Sequence, residues 1–214
     1  MRGRASSASL GSQAFMMLLR QFIAMVSIGS ALAACEAEPP ATGSSPRPGG
    51  PPLADPPRTV LTDVTWPAAD RLDRAALAGL APAAVRAVAR SPIPVLVPAD
   101  AELLKGAALI ARANWYSFSA RSGGLTVSLS ATRVAHRYEH IPPAAGTRQV
   151  RGVGGFVTQN EGIWSVTWVE NGASYTLDIE CGDSSDERCR SDAMVVAMSE
   201  RLVYVGGERA GVQR

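Results

Sequence analysis

One short segment has residue types and a spacing that could bind zinc and activate water. His136-Arg137-Tyr138-Glu139-His140 fits H-x-x-E-H, in which two histidines hold the metal and a glutamate acts on the water. That chemistry needs both histidines on one helical face. Here the segment continues an alternating strand pattern and runs into Ile141-Pro142-Pro143, so we expect no helix. We interpret it as a polar strand end without catalytic residues or metal; adventitious metal binding and catalytic zinc are the alternatives.

Two other segments carry residue types that are used to bind ions or nucleotides. Asp183, Asp186 and Glu187 could ligate calcium, but their spacing does not match an EF-hand loop. The glycine-rich run 151–156 lacks the Lys-Ser/Thr pair of a phosphate-binding loop. No G-x-S-x-G motif is present. We therefore expect no enzyme activity and no cofactor, and a hydrolase that recruits His136 or His140 is the least favoured alternative.

A lone cysteine follows a short apolar segment near the start of the chain. Phe22–Ala34 comes after Arg2, Arg4 and Arg20, and as a helix it would span about 20 Å, less than the ~30 Å hydrocarbon core of a bilayer. A short apolar segment closed by small residues is typical of a cleaved signal peptide. Leu32-Ala33-Ala34-Cys35 resembles the lipobox of bacterial lipoproteins, in which the cysteine is lipidated and becomes the first mature residue.

The lipobox resemblance implies a membrane anchor and a place in the bacterial cell envelope. Lipoproteins carry more than one acyl chain on this cysteine, and a single chain would bind a membrane only reversibly. The residue after Cys35 is Glu36 rather than the aspartate that favours inner-membrane retention, so the outer membrane is favoured over the inner. We expect a periplasm-facing lipoprotein whose signal peptide is residues 1–34; a plain secretory signal is the alternative.

The mature chain is expected to be nearly neutral. Removing residues 1–34 takes away three of the 21 basic residues and none of the 19 acidic ones, which leaves a net charge of about −1. A nucleic-acid partner needs a positive surface, so we expect none. Residues 35–58 are read as the lipidated cysteine and a proline-rich linker, which could act as a stalk of at most about 70 Å or be merely disordered. Residues 59–207 are predicted to form one globular domain and 208–214 a disordered tail.

The last two cysteines are expected to pair. Cys181 and Cys189 are eight residues apart, without C-x-x-C spacing or a nearby histidine that would favour a metal site. Disulfides persist in oxidising compartments such as the periplasm. Closing so short a loop would stabilise the fold by about 2–3 kcal/mol in the chain-entropy model.

Two β-hairpins are predicted from turn residues and alternating apolar residues. A turn at Gly123-Gly124 pairs Ala120 with Val127, Phe118 with Leu129 and Tyr116 with Ala131. A type I′ turn at Asn171-Gly172 pairs Trp168 with Tyr175, Val166 with Leu177 and Trp164 with Ile179. Residues 150–159 are predicted as a further strand with glycine bends.

Helical patterns flank these hairpins. The predicted elements are helices at 70–79 and 82–90, a strand at Val95–Val97, a helical turn at Ala101–Leu104, a helix from Ser191 or Asp192 to Leu202 and an edge strand at Val203–Val205. The predicted fold class is α+β: an antiparallel sheet of hairpins with a packed C-terminal helix and a short N-terminal helical pair.

The second hairpin and the helix after it carry a further resemblance. Trp168–Leu177 is similar to the strand–turn–strand–helix signature of small bacterial envelope domains, including those of anti-sigma and sporulation proteins, which are grouped with LolA-like half-barrels. The resemblance covers Gly162–Val205, and the cysteine pair departs from the pattern. It implies a fold type and a non-enzymatic role in binding a ligand or partner, and it carries no functional residues across.

Two binding roles are compatible with these patterns. The favoured one is a non-catalytic module that contacts another envelope protein through an exposed apolar patch. The alternative is a module that binds lipid or another apolar ligand on the concave face of the sheet, in a cavity lined by Trp115, Phe118 and Trp164. Without such an aromatic-lined groove, Trp115, Trp164 and Trp168 are most simply core residues.

The variant Cys35→Ser is expected to leave the membrane, because serine offers no thiol for acylation. We would partition the full-length chain and the variant, each expressed in a bacterium, in a phase-separating detergent. The wild-type chain is expected in the detergent phase and the variant in the aqueous phase. Wild-type protein that stays aqueous and has the mass of an unmodified chain would contradict the anchor.

Overall fold

The structure is a computed structural model that describes residues 56–207. The expected signal peptide, the lipidation site Cys35, the linker up to residue 55 and the tail 208–214 lie outside the described residues. The described residues belong to one compact unit, Pro52–Arg214. They have an α+β fold built around an antiparallel sheet, as the sequence predicts.

Eleven strands and four helices follow along the described residues, with short 3-10 turns at Ala69–Arg71 and Glu187–Cys189. The strands are β1 (Arg58–Leu61), β2 (Val95–Pro98), β3 (Ala108–Ala111), β4 (Trp115–Ser122), β5 (Leu125–Thr132), β6 (Val134–Arg137), β7 (Arg148–Val150), β8 (Val153–Asn160), β9 (Ile163–Glu170), β10 (Ala173–Cys181) and β11 (Leu202–Gly206). The helices are α1 (Arg74–Gly79), α2 (Pro82–Val88), α3 (Ala101–Lys105) and α4 (Ala193–Glu200).

Seven strands form the main sheet, in the order β3-β4-β5-β10-β9-β8-β7. Both predicted hairpins are confirmed with every predicted pair in register; Phe118 faces Leu129 in the first and Trp168 faces Tyr175 in the second. The two hairpins join because β5 pairs with β10, which places Leu129 opposite Leu177.

Four two-residue turns fix the register of this sheet. In each of them both residues have positive φ, which is the geometry of a type I′ turn. The turns are Gly123-Gly124, Arg151-Gly152, Glu161-Gly162 and Asn171-Gly172. Because a two-residue turn determines which residues face each other, it also decides which side chains point to the core.

The segment 150–159 differs from the prediction of one bent strand. Arg151-Gly152 is a turn, and it places Val150 opposite Val153 as the last pair between β7 and β8. Arg151 has a φ of 52°. An L-residue with a bulky side chain is disfavoured by about 1–2 kcal/mol in this region, so Arg-Gly is a much weaker turn signal than Asn-Gly.

The helices lie where the sequence predicts them; α1, α2 and α4 are shorter than predicted, and α3 extends one residue further, to Lys105. The Asp73 carboxylate caps α1 by accepting from the Ala76 backbone N at 2.8 Å. Pro82 occupies the first turn of α2, where a missing N–H costs nothing. Helix α4 ends at Glu200 rather than at Leu202, because Leu202 is the first residue of β11 and pairs with Pro98.

One face of the main sheet, here called the inner face, is buried. It lies under the four helices and the short ribbon formed by β2 and β11. The largest buried side chains on it are Tyr116, Phe118, Leu129, Trp168, Tyr175, Leu177 and Ile179. The core therefore lies between the inner face and this second layer.

Two tyrosine hydroxyls connect β2 to the inner face. In the described part of the chain β2 pairs with β11 alone, although β2 is buried along its whole length. Tyr116 Oη accepts from the Leu96 backbone N at 3.0 Å, and Tyr175 Oη donates to the Pro94 carbonyl at 2.9 Å. Burial raises the pKa of both tyrosines well above the ordinary range, so both hydroxyls stay protonated.

An N-terminal segment that the sequence patterns do not reveal packs on the second hairpin. Strand β1 pairs with β6 in a ribbon separate from the main sheet. The chain then reaches the Asn171-Gly172 turn, where the Thr65 backbone N donates to the Asn171 carbonyl at 3.0 Å. Thr62 Oγ1 donates to the Gly172 carbonyl. A Cβ on Gly172 would overlap the carbonyl oxygen of Asp63.

Gly172→Ala is expected to destabilise the domain by about 3 kcal/mol or more, since it combines the strain of a positive φ with this overlap. Gly162→Ala is the matched control: its φ of +83° is close to the +76° of Gly172, but a Cβ added there would meet no atom within 4 Å. The control should lose only about 1–2 kcal/mol. Urea unfolding measures both, and equal losses would contradict the packing of residue 63 on this turn.

Candidate functional site

The predicted disulfide between Cys181 and Cys189 is confirmed. The two Cα atoms are 6.1 Å apart, within the usual range for a bridge. The bond joins the end of β10 to the 3-10 turn before α4. Trp164 Nε1 donates to the Cys189 carbonyl at 2.9 Å, so the loop is also fixed to β9.

The disulfide loop contacts the β4–β5 turn. Arg188 Nη2 donates to the Gly123 carbonyl at 2.8 Å, and the Gly182 backbone N donates to the Gly124 carbonyl at 2.8 Å. Hydrogen bonds from Arg188 lower the pKa of Asp186 to about 2. Arg188 is therefore held at this turn by an ionised partner at neutral pH.

The two histidines do not share a site with Glu139 on a helix. Strand β6 ends at Arg137, and the residues that follow are not helical. His136 faces Thr59 of β1, with its Nδ1 3.4 Å from Thr59 Oγ1. Within residues 56–207, no three His, Cys, Asp or Glu side chains are grouped closely enough to hold a metal ion.

The three aromatic residues proposed as a ligand face do not lie together. Phe118 is fully buried on the inner face, and Trp164 is half-buried on the same face opposite Ile179. Trp115 points to the opposite side of the sheet and is 42 % exposed. Residues 115 and 118 are an odd number of positions apart, so strand alternation separates them. The expected cavity lined by these three side chains is therefore not formed.

A nearly buried ion pair that the sequence does not reveal joins three parts of the fold. Arg151 Nε donates to Glu170 Oε2 at 2.8 Å, and the two side chains are only 8 % and 13 % exposed. Arg151 Nη1 donates to the carbonyls of Ser199 and Leu202 at 3.0 and 2.8 Å. The pair thus fixes the β7–β8 turn to the end of β9 and to the connection between α4 and β11.

Glu170 is held in its charged form. Burial favours the neutral acid, but hydrogen bonds from Arg151 and then Tyr204 outweigh it, so the pKa of Glu170 is lowered. Trp168 Nε1 donates to the same carboxylate oxygen at 3.1 Å. The guanidinium of Arg151 also lies over the Tyr204 ring, 5.6 Å from its centroid. We interpret this cluster as structural, because the hydrogen bonds of the Arg151 and Trp168 side chains all go to Glu170 or to backbone carbonyls that join separate elements.

The other face of the main sheet, here called the outer face, is covered by no described helix or strand. A row at the Gly123-Gly124 end of the face contains Arg121, Thr126 and Glu180. The rest of the face forms three further rows across the strands. These three rows are Ala108, Ser119, Ser128, Asp178, Ser165, Thr158; then Ile110, Ser117, Ser130, Thr176, Thr167, Phe156; then Trp115, Thr132, Ser174, Val169. Asp178 is the only charged residue in these three rows, and its Oδ1 accepts from Ser165 Oγ at 2.6 Å.

Four large apolar side chains are exposed on the outer face. Val169 is 61 % exposed, Ile110 50 % and Phe156 39 %, alongside Trp115. The register makes Ile110 and Trp115 diagonal neighbours, and likewise Phe156 and Val169. Trp115 and Val169 stand in the same row, three strands apart, which is about 14 Å. The two pairs therefore flank a strip of hydroxyl groups at one end of the sheet.

A groove of about 410 Å³ opens at the other end of the sheet, between α3 and α4. We call it the α3–α4 groove. Its walls include Pro98, Leu103, Leu125, Arg188, Met194 and Arg201. These residues come from four separate parts of the chain, so no local sequence pattern reveals the groove.

Comparisons with family models, with curated proteins and with solved structures give no match for this chain. No helix within residues 56–207 is long and apolar enough to cross a membrane. We therefore infer a function from the surfaces of the described residues.

Glu170→Gln is expected to destabilise the domain by about 3 kcal/mol at neutral pH, because it leaves the buried Arg151 without its charged partner. The control is Glu187→Gln, which breaks an ion pair with Arg190 whose side chains are 76 % and 60 % exposed. That variant should lose less than about 1 kcal/mol.

The difference between wild type and Glu170→Gln should also depend on pH. Because the pKa of Glu170 is lowered on folding, its contribution is present above its ordinary value of 4.5 and is lost as the pH falls through the folded value. Urea unfolding at several pH values should show the gap narrowing in acid. A small gap that does not change with pH would contradict a buried ion pair.

Proposed function

We propose that this chain is a lipid-anchored protein of the bacterial envelope whose domain is a non-catalytic module that binds another envelope protein. The observation that carries the proposal is the uncovered outer face, which exposes Ile110, Trp115, Phe156 and Val169. Single exposed apolar residues are ordinary, but two exposed apolar pairs on one face that no described helix or strand covers favour an interaction surface.

The charge distribution of the outer face supports a protein contact. Charged residues are depleted and aromatic residues enriched at the centres of protein interfaces. A partner that covers the three rows would bury one carboxylate, Asp178, which already accepts a hydrogen bond from Ser165. The partner would have to donate a hydrogen bond or a positive charge to Asp178, because a carboxylate buried with a single hydroxyl donor would weaken binding. Trp115 is the residue type most often found as an anchor in such contacts.

The anchor sets where the partner lies. Lipidated Cys35 would hold the protein in the membrane, with the outer membrane favoured over the inner. Strand β1 begins at Arg58, so a proline-rich linker that ends before it would let the domain reach at most about 70 Å into the periplasm. The partner would thus be a protein exposed to the periplasm within that distance.

Binding of an apolar ligand is the second candidate function. The α3–α4 groove supports it, rather than the cavity expected from Trp115, Phe118 and Trp164. The groove lies between α3 and α4 on the helical side of the sheet, so the two functions use different surfaces.

Photocrosslinking in living cells tests the protein partner. A benzophenone amino acid would replace Trp115 in one variant and Phe156 in another, with Arg86 of α2 as an exposed control outside the outer face. We expect both outer-face positions to yield an adduct with the same protein and the control to yield none. Val169→Lys should reduce the adduct from position 115 at least about tenfold without changing the melting temperature, since residue 169 is exposed.

The partner identified in this way would then be purified and its binding measured with and without Val169→Lys. Adducts that form equally at position 86, or a purified protein that binds the variant as well as the wild type, would contradict the proposal. If the wild-type chain co-sediments with purified cell-wall glycan and Val169→Lys abolishes this binding, the partner is a polysaccharide and not a protein.

A further inference from the structure

The α3–α4 groove combines an apolar floor with cationic side chains at its mouth. Met194 and Met198 lie one turn apart on the same face of α4, and Leu103 and Leu125 are buried opposite them. Methionine adapts its shape readily, so such a floor accepts flexible apolar chains. The volume of about 410 Å³ falls within the range of small-molecule sites.

The mouth of the groove has unused hydrogen-bond donors. Arg201 donates from Nε to the Ala197 carbonyl, and neither of its Nη atoms has an acceptor among the described residues. Arg188 donates from Nε and Nη2, which leaves Nη1 without an acceptor in the same part of the chain. Guanidinium groups bind phosphate and carboxylate oxygens with paired, charge-assisted hydrogen bonds.

The acidic groups near the mouth are already engaged. Asp100 Oδ1 caps α3 by accepting from the backbone N of Glu102 and Leu103, at 2.8 and 3.2 Å. Asp186 accepts from Arg188 at 2.7 Å. Among the described residues, Asp100 Oδ2 is the remaining carboxylate acceptor at the mouth, against three guanidinium nitrogens of Arg188 and Arg201 without an acceptor, so the complementary ligand carries a negative charge.

We propose that the α3–α4 groove binds an anionic amphiphile, with its phosphate or carboxylate group at Arg188 and Arg201 and a short apolar chain along Met194 and Leu125. The disulfide loop contributes to this site because it holds Arg188 at the Gly123 carbonyl. The site is independent of the proposed protein contact, which lies on the other face of the sheet. The ligand could be a lipid of the bilayer or a free amphiphilic anion, since both present the same chemistry.

Calorimetric titration tests the ligand class. The chain would be purified without detergent as its non-lipidated Cys35→Ser variant lacking residues 1–34, since that basic, apolar segment would itself bind anionic amphiphiles. The probes are decyl phosphate, inorganic phosphate and decyl maltoside below their micelle concentrations. We expect decyl phosphate to bind with one-to-one stoichiometry and at least about tenfold more tightly than either other probe. Comparable affinity for decyl maltoside or for inorganic phosphate would overturn the proposal, as would no binding of decyl phosphate.

Substitutions locate the site. Arg201→Gln and Met194→Glu should each weaken decyl phosphate binding about tenfold, because the first removes the charge at the mouth and the second places a like charge on the floor. Arg86→Gln, an exposed position on α2 outside the groove, should leave the affinity unchanged. Val169→Lys should also leave it unchanged, which separates this site from the outer face. Equal effects of Arg86→Gln and Arg201→Gln would place the binding elsewhere.

Vesicle flotation distinguishes the two sources of the ligand. One outcome is that the same Cys35→Ser chain floats with phosphatidylglycerol vesicles but not with phosphatidylcholine vesicles. If Arg201→Gln also abolishes this flotation, the site binds the headgroup of an anionic lipid. If only dissolved decyl phosphate binds, the ligand is a free anion. Both results support an anionic amphiphile, whereas equal flotation with both vesicles and unchanged flotation of Arg201→Gln would overturn it.

Discussion

Strand β2 is buried along its whole length but pairs with another strand along only one edge, and the fold depends on how its other edge is satisfied. A buried backbone N–H or C=O without a partner costs about 1–3 kcal/mol. Tyr116 supplies a partner to Leu96 of β2, and Tyr175 supplies one to Pro94, the residue directly before the strand. Their hydroxyls therefore determine where the second layer sits, because β2 is continuous with α2 on one side and with α3 on the other.

This arrangement separates the two faces of the sheet into different roles. The inner face is filled by β2, by the helices and by large side chains such as Trp168, which leaves it no room for the carrier cavity that its aromatic content suggests. The Arg151–Glu170 pair also holds the helical layer on the main sheet, because it joins the β7–β8 turn to the end of α4. No described helix or strand packs on the outer face, and the loop at Gly146 contacts it near the β7–β8 turn, at Gly154. The apolar side chains of the outer face are therefore available to a partner, and this asymmetry is why we place binding there.

The parts of this fold that depend on residues close together in the sequence can be predicted from it. Both hairpin registers follow from a turn and strict alternation, and the disulfide follows from two cysteines close in the chain. The β5–β10 pairing and the contact of residue 63 with Gly172 join distant segments and leave no local pattern. The turn at Arg151 was missed because arginine is uncommon at positive φ. Grouping Trp115 with Phe118 was wrong, and the alternation of strand side chains already excluded it.

Hydroxyl-radical footprinting tests most directly whether the outer face is occupied in the envelope. The lipidated full-length protein would be oxidised in intact envelopes and after purification, and oxidation would be measured residue by residue. Trp115 and Phe156 should be oxidised less in the envelope than in the purified protein, because a partner covers them. Tyr138, which is exposed but outside the outer face, should react equally in both. Equal oxidation of Trp115 and Phe156 in the two preparations would contradict the account.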